Sequence, residues 1–302
     1  MEKRIFGNTS MPVTVLGYGA MELRSLDQVG ATQLLNRVLD SGINYIDTSP
    51  DYGPSEEMIG KAIAHRRSEY FLASKCGCNI NDQGRHLDPP HLWSRAKLAQ
   101  NIENSLRLLK TDYLDVWQLH GPLPEELPGG AQDEVIRAMQ DMKQQGKVRA
   151  IGISFKNGGP SDPLYPAGYS LRYAPHFLNL GVFDMMQLVY SALVRISENT
   201  VTQAAERGLG TVIRGVVKRY FDNFPALIEQ ARLRELYAPG ESDNDFLIRF
   251  ALSHPGIHTM IIGTKNPVHL ADNIRSVEKG RLPRDVFAEA RRRLEAIGVK
   301  PE

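Results

Sequence analysis

The chain has 302 residues, with 36 Lys+Arg against 35 Asp+Glu and a formal net charge of +1. At 42% hydrophobic and 24% charged it can bury a large core, which argues against disorder, and the balanced charge argues against a nucleic-acid footprint. Two cysteines exclude a disulfide scaffold, and neither a membrane-length apolar stretch nor a signal-peptide core is found, so a cytoplasmic protein without membrane contact is expected.

Residues 1–15 carry Arg4-Ile5-Phe6, Asn8-Thr9-Ser10 and Val13-Thr14-Val15, the pattern of a β-hairpin. A strand is expected at 17–21, then a helix at 26–40 with Val29, Leu34, Leu35, Val38 and Leu39 at helical spacing and Gly42 as its stop. Strand 45–48, helix 56–66, strand 71–76, helix 91–109, strand 115–120, helix 131–145 and strand 149–154 follow. Residues 155–183, rich in Pro and Gly, form a long connection of the kind that carries function. Beyond it lie strand 185–190, helix 198–206, strand 211–216, helix 243–252, strand 259–263, helix 268–277 and a last helix at 284–297. The strands read as near-continuous apolar runs, as strands buried on both faces do. Eight such alternations predict an α/β fold, a (β/α)₈ barrel with an N-terminal hairpin and an extra C-terminal helix, in one domain over 1–302. Alternation alone leaves an open doubly wound sheet as the other possibility.

Barrel active sites lie at the C-terminal ends of the strands. The second, third and fourth strands end near Asp47, Lys75 and His120, and Tyr52 follows in the loop after Asp47. Each alone has a plain structural reading as a cap, a rim ion pair, a satisfied imidazole or a turn residue. Together they make a tuned general acid. Lys75 is expected to lower the phenol pKa of Tyr52, Asp47 to hold Lys75, and His120 to orient a substrate oxygen. Such a set moves a proton but supplies no electrons, so carbonyl reduction would need a redox cofactor.

The segments Gly17-Tyr18-Gly19-Ala20-Met21, Asn44-Tyr45-Ile46-Asp47-Thr48-Ser49 with Tyr52-Gly53, Ala73-Ser74-Lys75, Trp117-Gln118-Leu119-His120 and Ile262-Gly263-Thr264-Lys265 with Asn273 resemble the aldo-keto reductase superfamily. The resemblance implies a barrel that binds NADP(H), or NAD(H), without a Rossmann fold. It implies a catalytic tetrad of Asp47, Tyr52, Lys75 and His120, with Tyr52 as proton donor in reduction. It implies cofactor contacts from Gly19, Asp47, Ser154 and Gln187, from Arg214, Gly215 and Lys218 after the seventh strand, and from Gly263, Thr264, Lys265, His269 and Asn273. Lys265 at a helix N-terminus suits a 2′-phosphate, although a solvated lysine is as good a reading of that residue alone. Tyr190 is expected near the nicotinamide.

The sequence departs from the family pattern in two places. Phe155 follows Ser154 where many members have Asn, and Arg214-Gly215-Val216-Val217-Lys218-Arg219 replaces a Pro-Leu-rich loop. Arg24 is a candidate for contact with an anionic or polyol substrate. Cys76 and Cys78, with His86 and His91 nearby, fall short of a convincing zinc pattern, so no metal is expected. The expected activity is NADP(H)-dependent reduction of a small aldehyde or ketone. The alternatives are an NAD(P)-dependent sugar or polyol dehydrogenase of the same family and a nicotinamide-binding regulatory subunit without turnover.

Overall fold

The computed structural model describes residues 1–81, 85–127, 129–156, 168–217 and 224–302. Its centre is a closed barrel of eight parallel strands, paired in chain order. They are β1 (Leu16–Gly19), β2 (Tyr45–Asp47), β3 (Phe71–Cys76), β4 (Leu114–His120), β5 (Val148–Ser154), β6 (Met185–Val189), β7 (Gly210–Arg214) and β8 (Thr259–Ile262). Around them lie α1 (Gln28–Asp40), α2 (Ser55–Ile63), α3 (Arg95–Leu109), α4 (Gly130–Gln144), α5 (Tyr169–Arg172), α6 (Ala174–Asn179), α7 (Glu198–Glu206), α8 (Phe224–Gln230), α9 (Asp243–Ser253), α10 (Pro267–Glu278) and α11 (Arg284–Ala296). Barrel closure settles the open-sheet alternative.

Two apolar clusters hold the barrel. One fills the space between strands and helices. The other lies inside the barrel and joins Tyr45, Ala73, Val116, Ala150, Met185, Val212 and Ile261 to Phe6, Met11 and Val13 of the N-terminal hairpin. That hairpin pairs Lys3–Ile5 with Pro12–Thr14, as expected, and caps the N-terminal end of the barrel. Side chains alternate along a strand, so the residues two positions further along also face inward. Those residues are Asp47, Lys75, Gln118, Gly152, Gln187, Arg214 and Gly263. A polar layer therefore stands one pleat above an apolar plug.

The structure departs from the expected elements in several places, α8 among them, since no helix was expected between residues 216 and 243. Strand β1 stops at Gly19, and residues 20–21 begin a 3₁₀ helix, Ala20–Ser25. The helix expected from residue 91 starts at Arg95, where the Ser94 side chain accepts a hydrogen bond from Lys97 N. Before it, Cys78–Ile80 pairs with His86–His91 in a second hairpin, because Asp88-Pro89-Pro90 cannot continue a helix. Within 155–183 the described part forms α5 and α6; residues 157–167 lie outside the described residues.

Candidate active site

Asp47 ends β2 and is 1% exposed. A carboxylate so deep in a barrel must be paired or hydrogen-bonded. Lys75 Nζ donates to Asp47 Oδ1 at 2.6 Å and to the Thr48 carbonyl at 2.8 Å. Gln118 Nε2 and Gln187 Nε2 donate to Asp47 Oδ2 at 3.0 and 2.8 Å. Ser154 Oγ in turn donates to Gln187 Oε1 at 2.7 Å. One carboxylate thus gathers side chains from β3, β4 and β6, with β5 one bond further. Burial acts to lower the Lys75 pKa, but Asp47 and Tyr52 outweigh it and the ammonium is held above its usual range.

Tyr52 sits in the β2–α2 loop, half-buried at the mouth. Lys75 Nζ lies 5.0 Å from its ring centroid, and the His120 ring meets it edge-on at 6.2 Å. Burial pushes the Tyr52 phenol up to about 12, although Lys75 pulls it down. This corrects the sequence expectation of a lowered phenol: desolvation exceeds the effect of one ammonium already shared with Asp47. The phenol stays protonated and is a donor. His120 is buried, which pushes its pKa down to about 4 against the pull of Asp51, so its imidazole is neutral near pH 7.

His120 Nδ1 has three neighbours that sequence reasoning missed: Cys78 Sγ at 3.1 Å, Ser49 Oγ at 3.3 Å and Asp51 Oδ1 at 3.4 Å. The Ser49 hydroxyl donates to Asp51, and His86 Nε2 lies 3.2 Å from the other Asp51 oxygen. Burial acts to raise the Asp51 pKa, but these partners hold it well below the carboxylate range. Gln118, also missed, follows the inward period of β4 and could have been found from it. Asp51 and Ser49 lie in a loop, where no period exists.

A cleft of about 370 Å³ opens beside Tyr52 and Asp47, lined by Gly19, Arg214, Gly215 and Gly263. A larger hollow, about 520 Å³, lies between α2 and α3, with no tetrad residue in its wall. Gly19 and Gly263 face one another: a Cβ on Gly263 would stand 2.8 Å from the Gly19 carbonyl oxygen. Arg214 Nη2 donates to the Phe155 carbonyl at 2.7 Å, while the Phe155 ring turns away from the cleft to pack on Phe177. Thr264 is buried, and Tyr18 Oη donates to its carbonyl at 2.9 Å. Lys265 and His269 are exposed where α10 begins, and Asn273 is buried on that helix. The Asn266 side chain accepts from Val268 N and caps α10.

Other expected residues lie elsewhere. Tyr190 packs outside the barrel against Phe250 and His254, with its hydroxyl 3.3 Å from Glu198, so it does not line the cleft; the chain has left the strand at Val189. Arg24 is exposed beside Gly53. Lys218 and Arg219 lie outside the described residues. Cys76 Sγ donates to the Gln118 carbonyl and His91 pairs with Glu126, so these two of the four Cys/His residues face apart. Lys156 lies across from Gly121 at the same mouth.

The cleft residues fit a nicotinamide cofactor. The buried Ser154–Gln187 pair, one hydrogen bond from Asp47 of the cleft wall, carries hydroxyl and amide groups of the kind a carboxamide needs, and Gly19, Gly215 and Gly263 put no side chain into that wall. The buried Gln118 Oε1 has no hydrogen-bond partner among the described residues, so the polar layer still has acceptor capacity.

Known proteins place the chain. It is 28% identical over 308 residues to the uncharacterized oxidoreductase YqkF of Bacillus subtilis, covering 93% of each chain. It is 26% identical to L-galactose dehydrogenase of Arabidopsis thaliana, over 92% of this chain and 88% of that one. The holo form of aldo-keto reductase AKR11C1 from Bacillus halodurans superposes with a TM-score of 0.81 at 27% identity, covering 97% of this chain and 96% of the other. Residues 15–219 match the aldo/keto reductase family, and on that match and these relatives the chain belongs to this family of oxidoreductases.

Proposed function

We propose that the protein reduces a small aldehyde or ketone to the alcohol with NADP(H), and that Tyr52 is the general acid. The observation that carries this reading is the buried pairing of Lys75 with Asp47 directly beneath a Tyr52 whose hydroxyl has no hydrogen-bond partner among the described residues. A phenol so placed is a proton donor without a competing acceptor. Asp47, Ser154 and Gln187 would hold the nicotinamide end of the cofactor, and Lys265, with His269 and Asn273 on α10, the adenosine-phosphate end. Bound there, the cofactor supplies the hydride that the carbonyl carbon accepts.

The residues of the chain do the rest. His120, neutral near pH 7, orients the carbonyl oxygen through Nε2. Tyr52 Oη gives its proton to that oxygen as negative charge develops, and Lys75 stabilises the phenolate left behind. A phenol near pKa 12 is a weak ground-state acid but gains most from Lys75 once charged, which is where transition-state stabilisation counts.

The test is Tyr52→Phe. Turnover of carbonyl substrates should fall by about 10²–10⁴ while NADPH affinity, read by fluorescence titration, is retained. Full turnover in the variant would end the reading. The likeness to L-galactose dehydrogenase favours a second reading, the same site run toward oxidation of a sugar or polyol. Relative rates in the two directions, and affinity for NADH against NADPH, separate the two.

A further inference from the structure

The His120 imidazole divides two environments. Its Nε2 is the nitrogen that the proposed reaction uses. Its Nδ1 faces a cluster of side chains, Asp51 from the β2–α2 loop and Cys78 from the second hairpin, with Ser49 Oγ at 3.3 Å. Gly77 brings Cys78 there. Its φ is +91°, and a Cβ on it would collide with the Trp93 ring at 1.9 Å, so the turn is pinned and the two thiols point to different sides. Cys76 turns to the Gln118 carbonyl, and Cys78 turns to His120.

The three donor atoms are close enough for small side-chain shifts to bring them to one metal ion, the sulfur–nitrogen pair standing slightly tighter than a ligand pair. Bonds of about 2.0–2.3 Å to N, O and S at tetrahedral angles put donors about 3.3–3.6 Å apart. Here Cys78 Sγ and His120 Nδ1 are 3.1 Å apart, His120 Nδ1 and Asp51 Oδ1 are 3.4 Å apart, and all three atoms lie within 4.8 Å of one another. The donor set is one soft sulfur, one imidazole and one carboxylate, which suits zinc and cobalt(II) better than magnesium or calcium. Charge also matches, because a divalent cation with one thiolate and one carboxylate is neutral, which a buried pocket tolerates. Entry lies past Asp51, whose outer oxygen touches His86 at the surface, where that side chain is 37% exposed. A zinc-class site with three protein ligands leaves its fourth position to solvent.

We propose that Asp51, Cys78 and His120 form a binding site for a thiophilic divalent cation of the zinc class, with the metal on Nδ1 of the imidazole whose Nε2 faces the substrate. On binding, the Cys78 S–H proton leaves to solvent as the sulfur–metal bond forms, and His120 binds through an unprotonated Nδ1 with its proton on Nε2. The metal therefore fixes the tautomer that donates toward a carbonyl oxygen. No electron is transferred. The effect on turnover rests on the reductase reading; the binding does not.

The experiment is a Co²⁺ titration of the chelator-treated full-length protein, followed in the near-ultraviolet for sulfur-to-cobalt charge transfer and in the visible for tetrahedral bands, then displacement by Zn²⁺. One equivalent should bind with a thiolate band. Cys78→Ser should abolish that band, Asp51→Asn should weaken binding at least tenfold, and Cys76→Ser should leave the band unchanged. Retained nicotinamide binding shows that each variant is folded. No thiolate band, or a band that survives in Cys78→Ser, overturns the site. Metal binding in a protein without carbonyl turnover would keep the site and end the reductase reading; turnover without metal binding would do the reverse.

Discussion

At the ends of β2 and β3 the charged side chains are buried and bonded, whereas at the end of β8 and the start of α10 they stand in solvent. Lys75 stands near the end of β3 and Lys265 just beyond β8, yet Lys75 is 0% exposed and held between Asp47 and the Thr48 carbonyl, and Lys265 is exposed. A buried ion pair is oriented and unscreened but expensive to break. An exposed charge costs little and acts as a point attraction that salt weakens. The first arrangement suits proton transfer at a fixed atom, and the second suits a phosphate that must also be released.

Breaking the buried half should have the largest effect. Lys75→Met leaves Asp47 charged and without its ammonium, so stability should fall by about 3–5 kcal/mol in urea denaturation, with loss of turnover. If Lys75→Met unfolds at the wild-type midpoint, the pair is not the anchor described here. A variant too unstable to assay is replaced by Lys75→Arg, which keeps charge but not shape and should retain the fold while losing most activity.

Proton linkage tests the buried titratable groups next. Burial pushes His120, His254 and His258 each down to about 4 from an ordinary 6.5. Below 6.5 the unfolded chain takes up these protons first, so this stability is present above 6.5 and is lost as pH falls toward 4. Burial also pushes Glu56 up to about 7, which works in the opposite sense: its contribution is present below 4.5 and is lost as pH rises to 7. Three groups oppose one, so the urea midpoint should rise between pH 4.5 and 6.5. Glu56→Gln, which keeps an acceptor for the Ser74 hydroxyl, should steepen that rise. A flat profile in both proteins would contradict the burial of these groups.

The smallest effect belongs to the exposed half. Lys265→Ala should weaken NADPH by about tenfold, the value of one charge-assisted contact, and leave NADH unchanged. The difference should shrink as salt is raised. Equal loss for both cofactors would show that Lys265 does not meet a 2′-phosphate.

The barrel was legible because strands covered on both faces are continuous apolar runs, and because their inward alternate positions carry Asp47, Lys75 and His120. The second hairpin was not, since His86-Leu87-Asp88-Pro89-Pro90 is mostly exposed and has no apolar period to reveal it. Tyr190 was misplaced because a run of apolar letters does not show where a strand ends. The Tyr52 pKa was misjudged because a neighbouring charge can be read from residue types but desolvation cannot. The Asp51–His120 contact depends on loop geometry across 69 positions of sequence, which no spacing rule encodes.

Asp47 joins partners that lie 28, 71 and 140 positions away along the chain. Loop closure over such distances is slow compared with helix formation. The Gln187 arm of this junction therefore forms late, after helical structure is in place. During refolding, recovery of turnover should lag behind recovery of helical circular dichroism, so that the reaction itself becomes a clock for the closing of the barrel.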